Sequence, residues 1–304
     1  MFRMKLSHRL EYAGLRVLMS LTRRLAPACA SRVGDVLGAL VFHVTGMRKK
    51  LVREHMARVF GMTGDSEELR AMSRSVYRQL GRTAVEHARL LAGRTADLRD
   101  RLAVSGEAHI AHARERGRGV ILITGHFGYW ELLGATVAIL GYPITVVSKK
   151  LHNPAVDRLV HAGRERLGMA VATMDKAPAA VFRALRRNEC VGLLADQDAG
   201  AGGVFVDFLG TRASTYQGPA LFALRTGAPI VPCFIIRSGP ERHRVCFETP
   251  IEAIPTGDEP GDIARITQAY TDVLARYIMD YPDHWFWVHR RWKTPAPDDT
   301  NHEK

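Results

Sequence analysis

From about Gly117 the chain alternates short apolar runs with amphipathic stretches. The apolar runs have the length and β-branched composition of buried strands, and they are Val120–Thr124, Ile144–Ser148, Met169–Thr173, Cys190–Ala195, Pro229–Ile236 and Arg244–Glu248. Between the first five runs, apolar residues recur at helical spacing over Tyr129–Leu140, Pro154–Leu167, Pro178–Arg187 and Tyr216–Arg225. This alternation is typical of a largely parallel sheet covered by helices.

The flanking segments show helical patterns without strands. Arg48–Phe60 and Ser66–Leu91 are predicted helices before the sheet, and Asp262–Tyr281 is a predicted helix after it. The last two strands are joined through the turn residues 238–240, which predict an antiparallel hairpin at one side of the sheet.

These patterns predict an α/β fold, with a largely parallel central sheet flanked by helices and a helical N-terminal extension that associates with a membrane. Residues 1–92 form the helical, basic N-terminal region. Residues 93–295 form the α/β core, which is continuous with the preceding helices, and residues 296–304 form a polar tail that we expect to be disordered. The sequence contains no internal repeat or low-complexity linker.

The N-terminal region is amphipathic and carries most of the excess positive charge. The 304 residues have a formal net charge of +12, and residues 1–60 hold twelve Lys and Arg against three Asp and Glu, which gives +9. Arg9, Arg16 and Arg23 repeat every seven residues. A second stripe of the same helix is apolar and consists of Leu10, Val17, Leu18, Leu21 and Leu25. Such a helix binds an anionic lipid surface, or else it packs as a surface helix on the body of the protein.

We expect neither a membrane-spanning helix nor a disulfide framework. The longest apolar run near the N-terminus, Val36–Met47, is too short to cross about 30 Å of hydrocarbon and contains His43. A secretory signal is interrupted by charges at Arg9, Glu11 and Arg16. The four cysteines form no CxxC pair, so a reducing compartment fits best, and neither a disulfide nor a metal site is expected.

The first predicted strand leads into the segment Gly125–Glu131, which contains a histidine between two glycines. Ligands of open α/β sheets bind outside the carboxyl ends of the strands, where His126 lies. Glu131 falls in the first turn of the next helix, from which we expect it to accept a hydrogen bond from the imidazole of His126. The alternative is a structural histidine at the end of a strand.

No Ser or Cys nucleophile lies near His126 in the sequence. The economical reaction is therefore direct attack of a substrate hydroxyl on an activated acyl group, with His126 as general base. If water took the place of the hydroxyl, the same residues would make a hydrolase.

Four ordered blocks resemble the bacterial lipid A biosynthesis acyltransferases, which belong to the lysophospholipid acyltransferase-like superfamily. They are the H-x4-E block of His126 and Glu131, the segments Ala195–Asp198 and Phe205–Gly210, and the tail block Trp285–Thr294. The resemblance implies transfer of a fatty acyl chain from acyl carrier protein or acyl-CoA to a hydroxyl of a lipid A precursor or related anionic glycolipid. It also implies action at the cytoplasmic face of the inner membrane, without metal or other cofactor.

The resemblance carries over to three acidic and basic positions. Arg164 matches a family arginine whose guanidinium would bind an acceptor phosphate or carboxylate, although a solvated helix face explains it as well. Asp196 and Asp198 follow a strand at the same predicted edge as His126. They would orient His126 or Arg164 or cap the next turn, and Asp196 is the first choice.

Further binding positions come from the third and fourth blocks. Gly210, Thr215 and Gly218 resemble the family's third block, where backbone groups before a helix bind an anion or an oxyanion. A plain turn and helix cap is the alternative. In the tail block, the family match places Arg290 near the substrate, while packing of the tryptophans and solvation of the arginines is the other interpretation.

Departures from the family pattern leave the acceptor open. The early block reads Arg53–Met56, and Gln197 stands where many lauroyl transferases have His. Other possible acceptors are a lysophospholipid, an ornithine lipid or a phosphatidylinositol mannoside-like glycolipid. A non-catalytic basic membrane-binding protein is a further alternative. Nucleic acid is excluded as a partner, because only Trp285–Lys293 interleaves basic and aromatic residues.

Overall fold

The protein is described here by a computed structural model that covers residues 5–62, 66–95 and 97–297. Its strands are β1 (Leu102–Ser105), β2 (Val120–Thr124), β3 (Ile144–Ser148), β4 (Met169–Thr173), β5 (Cys190–Leu194), β6 (Val204–Phe208), β7 (Thr211–Thr215), β8 (Ile230–Gly239) and β9 (Arg242–Phe247). Its α-helices are α1 (Leu6–Thr22), α2 (Pro27–Leu40), α3 (Lys49–Phe60), α4 (Glu67–Leu91), α5 (Glu107–Glu115), α6 (Trp130–Ile139), α7 (Pro154–Arg166), α8 (Ala177–Arg186), α9 (Gly218–Thr226) and α10 (Glu259–Asp280).

Seven strands form one sheet in the order β1-β9-β8-β2-β5-β3-β4. The five strands from β8 to β4 are mutually parallel, and β9 pairs antiparallel with β8. The predicted largely parallel sheet and the predicted hairpin are therefore confirmed. The hairpin is not the edge of the sheet, however, because β1 adds a parallel strand outside β9.

The central strands are apolar throughout because helices cover both faces of the sheet. In β2, the four residues Val120–Ile123 are all buried. One face packs against α5 and α6, and the other packs against α8, α9 and α10. A strand buried on both faces reads as a continuous apolar run, as β2 does. Strands β2, β3 and β4 begin and end at the predicted residues.

Between β5 and α9 the chain forms a separate two-stranded hairpin, β6–β7, which the apolar pattern did not predict. The turn between the two strands consists of Leu209 and Gly210, which both have positive φ angles, +53° and +78°. The helix predicted to begin at Tyr216 begins at Gly218 instead, because residues up to Thr215 belong to the hairpin.

Helix α2 lies against α4 at a crossing built from glycines. A Cβ atom at Gly81 would lie 2.1 Å from the carbonyl oxygen of Gly34, and one at Gly38 would lie 2.2 Å from that of Tyr77. Only glycine permits such an approach of two helix backbones. Beside the crossing, Arg82 on α4 donates two hydrogen bonds to the Asp35 carboxylate, at 2.7 and 2.9 Å.

Helix α1 leaves much of its apolar stripe uncovered. Leu18 and Met19 pack against α4 and α7, so part of the helix does lie on the protein body as the alternative interpretation held. On the outer side, Leu10 is 65% exposed, and Val17 and Leu21 are also exposed. The three arginines of the basic stripe are exposed as well.

The second helical segment is continuous from Pro27 to Thr45, because α2 passes directly into a π-helical stretch, Val41–Thr45. This segment is long and apolar enough to cross a membrane by length and composition. The helix is longer than the apolar run Val36–Met47 because it begins nine residues earlier, so the length argument against a membrane-spanning helix does not apply to it. Its exposed side chains include Val36, Leu40 and Val44.

Of the predicted tail, residues 296 and 297 are among the described residues. Ala296 is buried and Pro297 is exposed. The rest of that tail, residues 298–304, and the first four residues of the N-terminal region lie outside the described residues.

Candidate active site

The catalytic candidate His126 lies at the carboxyl end of β2, two residues after the strand ends. Strands β2 and β5 are parallel neighbours with Thr124 opposite Leu194, so the residues that follow them meet at one edge of the sheet. Gly128 has a φ of +59°, and a Cβ there would lie 1.9 Å from the carbonyl oxygen of Ile235. This turn therefore requires glycine at position 128.

His126 and Asp196 form a hydrogen-bonded pair. The Nδ1 atom of His126 lies 2.7 Å from Oδ1 of Asp196, and the backbone N–H of His126 donates to Oδ2 at 2.7 Å. Because an ionised carboxylate only accepts, the proton of the neutral ring lies on Nδ1 and leaves Nε2 free to accept a proton. The expected hydrogen bond from His126 to Glu131 is wrong: Asp196, the first choice among the two predicted aspartates, is the partner.

The electrostatics of the pair suit a general base. Burial lowers the pKa of His126, but the charge and hydrogen bond of Asp196 outweigh burial and raise that pKa above its ordinary value. Burial raises the pKa of Asp196, yet the His126 interactions dominate and bring it down to about 2. Asp196 is therefore a carboxylate and His126 a stronger base than a free imidazole.

The second ring nitrogen of His126 faces an accessible space. The side chain is 24% exposed, and the amide Nε2 of Gln197 lies 3.5 Å from its Nε2. The rings of Trp130 and Phe286 both contact the imidazole, with centroids 5.1 and 5.9 Å from its own, and they contact each other at 6.1 Å. A group that meets Nε2 therefore lies beside the Gln197 carboxamide and close to this aromatic cluster.

Glu131 instead holds Arg164. The Nε atom of Arg164 donates to one Glu131 oxygen at 2.9 Å and its Nη2 donates to the other, while its Nη1 donates to Oγ of Ser148 at 2.8 Å. Burial raises the pKa of Glu131, but hydrogen bonds from Arg164 lower it overall, so both groups are charged. The two guanidinium nitrogens of Arg164 that could bind an acceptor anion are thus bonded to Glu131.

A cavity of about 430 Å³ opens beside this constellation and is almost entirely apolar. Trp130 and Phe286 are shared between the cavity wall and the surroundings of the His126 ring. Helix α4 contributes Leu80 and Ala84, and the α2 segment contributes Val41. The N-terminal helices therefore help to build the site as well as covering the core.

Asp198 lies on the same loop as Asp196 but faces away from His126. Its Oδ1 accepts the backbone N–H of Thr294 at 3.1 Å, and its Oδ2 accepts the Thr294 hydroxyl at 3.0 Å. Its own N–H donates to Nε2 of His289 at 3.0 Å. The geometry thus gives Asp198 the alternative role that the sequence left open, that of fixing a turn.

The third-block positions are not brought together. Gly210 lies exposed at the tip of the β6–β7 hairpin, so it does not precede a helix as predicted. Thr215 is buried, and its hydroxyl accepts from the Arg291 guanidinium. Gly218 alone opens a helix, α9, and its next residue, Pro219, has no N–H to offer an anion.

The two adjacent arginines of the tail block differ sharply. Arg290, the predicted substrate contact, is exposed and has no hydrogen bond or ion pair within the part of the chain that the structure describes. Arg291 is buried, and its guanidinium donates to the carbonyl oxygen of Ser214 as well as to Thr215. Burial lowers the pKa of Arg291 to about 10. The sequence pattern did not distinguish the two, because both follow the same aromatic run.

The described residues contain no group of three or more His, Cys, Asp and Glu side chains that could hold a metal ion. The four cysteines are free, and burial raises the pKa of Cys190 to about 12.

Comparison with known proteins gives matches along almost the whole chain. Residues 2–294 match the family described as bacterial lipid A biosynthesis acyltransferase. The chain is 28% identical over 256 residues to a phosphatidylinositol mannoside acyltransferase of Mycolicibacterium smegmatis, which covers 82% of this chain and 81% of that protein. It is 28% identical over 289 residues to a lipid A biosynthesis lauroyltransferase of Escherichia coli, with 94% and 92% covered. A lipid A biosynthesis palmitoleoyltransferase of Escherichia coli is 26% identical over 265 residues, with 86% and 84% covered.

Proposed function

The chain belongs to the bacterial lipid A biosynthesis acyltransferase family and is an acyltransferase, and from this premise we propose a specific reaction for it. The enzyme transfers a fatty acyl chain from a thioester donor, acyl carrier protein or acyl-CoA, to a hydroxyl of an anionic glycolipid. His126 is the general base of this transfer and Asp196 orients it.

The observation that carries the proposal is the position of the His126–Asp196 pair beside the apolar cavity. A fatty acyl chain needs an apolar space, and each CH₂ group it buries contributes about 0.8 kcal/mol. The cavity of about 430 Å³ supplies this space, and its aromatic wall at Trp130 and Phe286 continues to the imidazole of His126. A chain lying there has its thioester carbonyl near Nε2.

The reaction then proceeds without a covalent enzyme intermediate. Nε2 of His126 removes the proton of the acceptor hydroxyl as its oxygen attacks the thioester carbonyl carbon. The tetrahedral intermediate collapses, the carbon–sulfur bond breaks, and the imidazolium returns the proton to the leaving thiolate. Asp196 holds the ring in the productive tautomer and stabilises the imidazolium.

The oxyanion of the intermediate needs hydrogen-bond donors close to Nε2. Helix α6 begins at Trp130, and the first N–H groups of a helix have no intrahelical acceptor and lie at the positive end of its dipole. The Gln197 amide is a further donor, 3.5 Å from Nε2. We assign oxyanion stabilisation to these groups.

The enzyme works at the cytoplasmic surface of the inner membrane, where α1 and the Pro27–Thr45 segment contact lipid. Exposed Leu10 and Leu21 on α1 and Val44 on the second segment offer apolar contacts, and the exposed arginines of α1 meet anionic headgroups. The glycine crossing on α4 and the Asp35–Arg82 pair hold the second segment against the body. A monotopic attachment therefore fits better than a span.

Two acceptors follow from the relatives that the chain matches. Lipid A precursor is the acceptor class suggested by the family and by the two Escherichia coli proteins. A phosphatidylinositol mannoside is the second candidate, because the Mycolicibacterium smegmatis protein is as similar as these. Both are anionic glycolipids with free hydroxyls, so the same site chemistry serves either.

The test is a matrix of two donors and two acceptors with the full chain in mixed anionic vesicles. Acyl carrier protein or CoA carries the same fatty acid, and lipid A precursor or phosphatidylinositol mannoside is the acceptor. Mass spectrometry is expected to show an added acyl chain on one acceptor. Free fatty acid with neither acceptor modified would reject the transfer in favour of hydrolysis.

A further inference from the structure

The tail block Trp285–Thr294 contacts the catalytic pair through its first residue. Trp285 is buried, and its indole N–H donates to Oδ2 of Asp196 at 2.9 Å. Neither the composition of the block nor the general-base mechanism requires this bond. It joins an aromatic residue near the end of the chain to the carboxylate that follows β5.

Within the described part of the chain, Oδ2 of Asp196 accepts from two donors, and Oδ1 is bonded to the imidazole alone. The backbone N–H of His126 and the indole N–H of Trp285 both point to Oδ2. Together they fix the plane of the carboxylate, so that Oδ1 stays 2.7 Å from Nδ1 of His126. Asp196 is 4% exposed, which excludes water as a ready substitute for the indole donor.

The backbone around Trp285 is tied to the loop that carries His126. Phe127 and Trp285 form an antiparallel bridge. The N–H of Phe286 donates to the carbonyl oxygen of His126 at 3.0 Å, and the N–H of Gly128 donates to that of His284 at 2.8 Å. The indole is thus held in a fixed relation to both members of the pair.

We infer that Trp285 is a positioning residue for the acyl transfer: its indole N–H fixes the Asp196 carboxylate in the orientation that holds His126 in its base-competent tautomer. The inference rests on the proposed function for its kinetic consequence only. The geometric consequence, the state of the His126 ring, can be measured without any substrate.

Trp287 provides a matched control two residues later. It is also fully buried in the same apolar cluster and also uses its indole N–H, which donates to the carbonyl oxygen of Pro282 at 2.6 Å. Trp287→Phe therefore removes the same atoms and the same kind of donor as Trp285→Phe. Only Trp285→Phe removes a hydrogen bond to Asp196.

The experiment compares the full-length wild type, Trp285→Phe and Trp287→Phe. A hydrogen bond to a charged group contributes about 1.5–3 kcal/mol, so Trp285→Phe is expected to lower kcat at least about tenfold with little change in the donor KM. In Trp285→Phe the low-field Nδ1–H proton resonance of His126 is expected to weaken and the pKa of that ring to fall, while its other charged or titratable neighbours, Glu131 and His289, stay unchanged. Trp287→Phe is expected to lose stability and keep all three properties.

The inference is overturned if Trp285→Phe leaves kcat and the His126 resonance at wild-type values, or if Trp287→Phe changes both equally. Should Trp285→Phe fail to fold, 3-benzothienylalanine at position 285 keeps the ring shape and removes only the N–H, with the same outcomes. If the wild type transfers no acyl group, the proposed function fails. The resonance and pKa of His126 then still decide the positioning role.

Discussion

Replacing Asp196 by Asn is the most informative change at the site, because it alters one atom of the catalytic pair. The asparagine oxygen best takes the place of Oδ2, where it accepts from the His126 backbone and the Trp285 indole. Its NH₂ group then faces Nδ1 of His126. The imidazole must accept there and carry its proton on Nε2, which abolishes its capacity to act as a base.

The magnitude follows from these hydrogen bonds. If the side-chain amide of the Asp196→Asn variant turned over, the correct tautomer of His126 would be restored. The backbone N–H of His126 and the indole N–H of Trp285 would then face an NH₂ group, and each unsatisfied buried group costs about 1–3 kcal/mol. The wrong tautomer therefore dominates. A triad histidine held in the wrong tautomer loses about 10⁴ in rate in a serine protease. We expect Asp196→Asn to lower kcat by about 10³ to 10⁴, equivalent to about 4–5.5 kcal/mol.

The assay measures acylated glycolipid formed per unit time in vesicles, with Asp198→Asn as the matched control. Asp198 is on the same loop but bonds to Thr294 and not to His126. Asp198→Asn is expected to lower thermal stability and to keep kcat within a few-fold of wild type. A kcat within tenfold of wild type for Asp196→Asn, or equal losses in the two variants, would refute the reasoning.

Three further predictions follow from the same structure. Because the pKa of His126 is raised and the base must be neutral, kcat/KM is expected to fall as pH decreases through a pKa above 6.5; a limb at or below 6.5 would contradict this. Ala84→Trp fills the cavity, so a donor whose acyl chain can no longer bury about four of its CH₂ groups should be disfavoured by about 3 kcal/mol. Ala71→Trp, on the exposed side of α4, should leave chain-length preference unchanged in competition assays. Gly81→Ala should destabilise the fold by about 1–3 kcal/mol and lower the Tm, whereas Gly14→Ala, with open space around it, should stabilise by about 0.5–1 kcal/mol; equal shifts would show that the glycine crossing is unimportant.

The strands of the sheet could be predicted where they form short, mostly apolar runs. Strands β2, β3 and β4 are such runs, and their bounds agree with the prediction. Strand β1 has only four residues and ends in Ser105. In the hairpin, β6 carries Asp207 within an otherwise apolar strand, and β7 is mostly polar. Short or mixed strands of this kind acquire their identity from neighbours that the local pattern does not show.

The positions of His126 and Asp196 were predictable, but their pairing and the separation of the other predicted site residues were not. His126 and Asp196 each follow a buried strand, and the rule on carboxyl ends placed both at one edge. Glu131 was the nearer carboxylate in sequence, yet its position in α6 directs it to Arg164 on α7. The choice between the two carboxylates depends on β2 and β5 being neighbours, which is a property of strand order and not of spacing. The role of Trp285 was hidden for the same reason.

The central claim is that His126 catalyses acyl transfer to a glycolipid hydroxyl. The most direct test measures the mass of the glycolipid acceptor after incubation with the acyl donor and either the wild type or His126→Ala, each confirmed as folded and vesicle-bound. We expect the wild type to add one ester-linked acyl chain and His126→Ala to lose this activity by about 10³-fold or more. Acylated product formed at a similar rate by both proteins, or an acceptor unmodified by the wild type, would contradict the account.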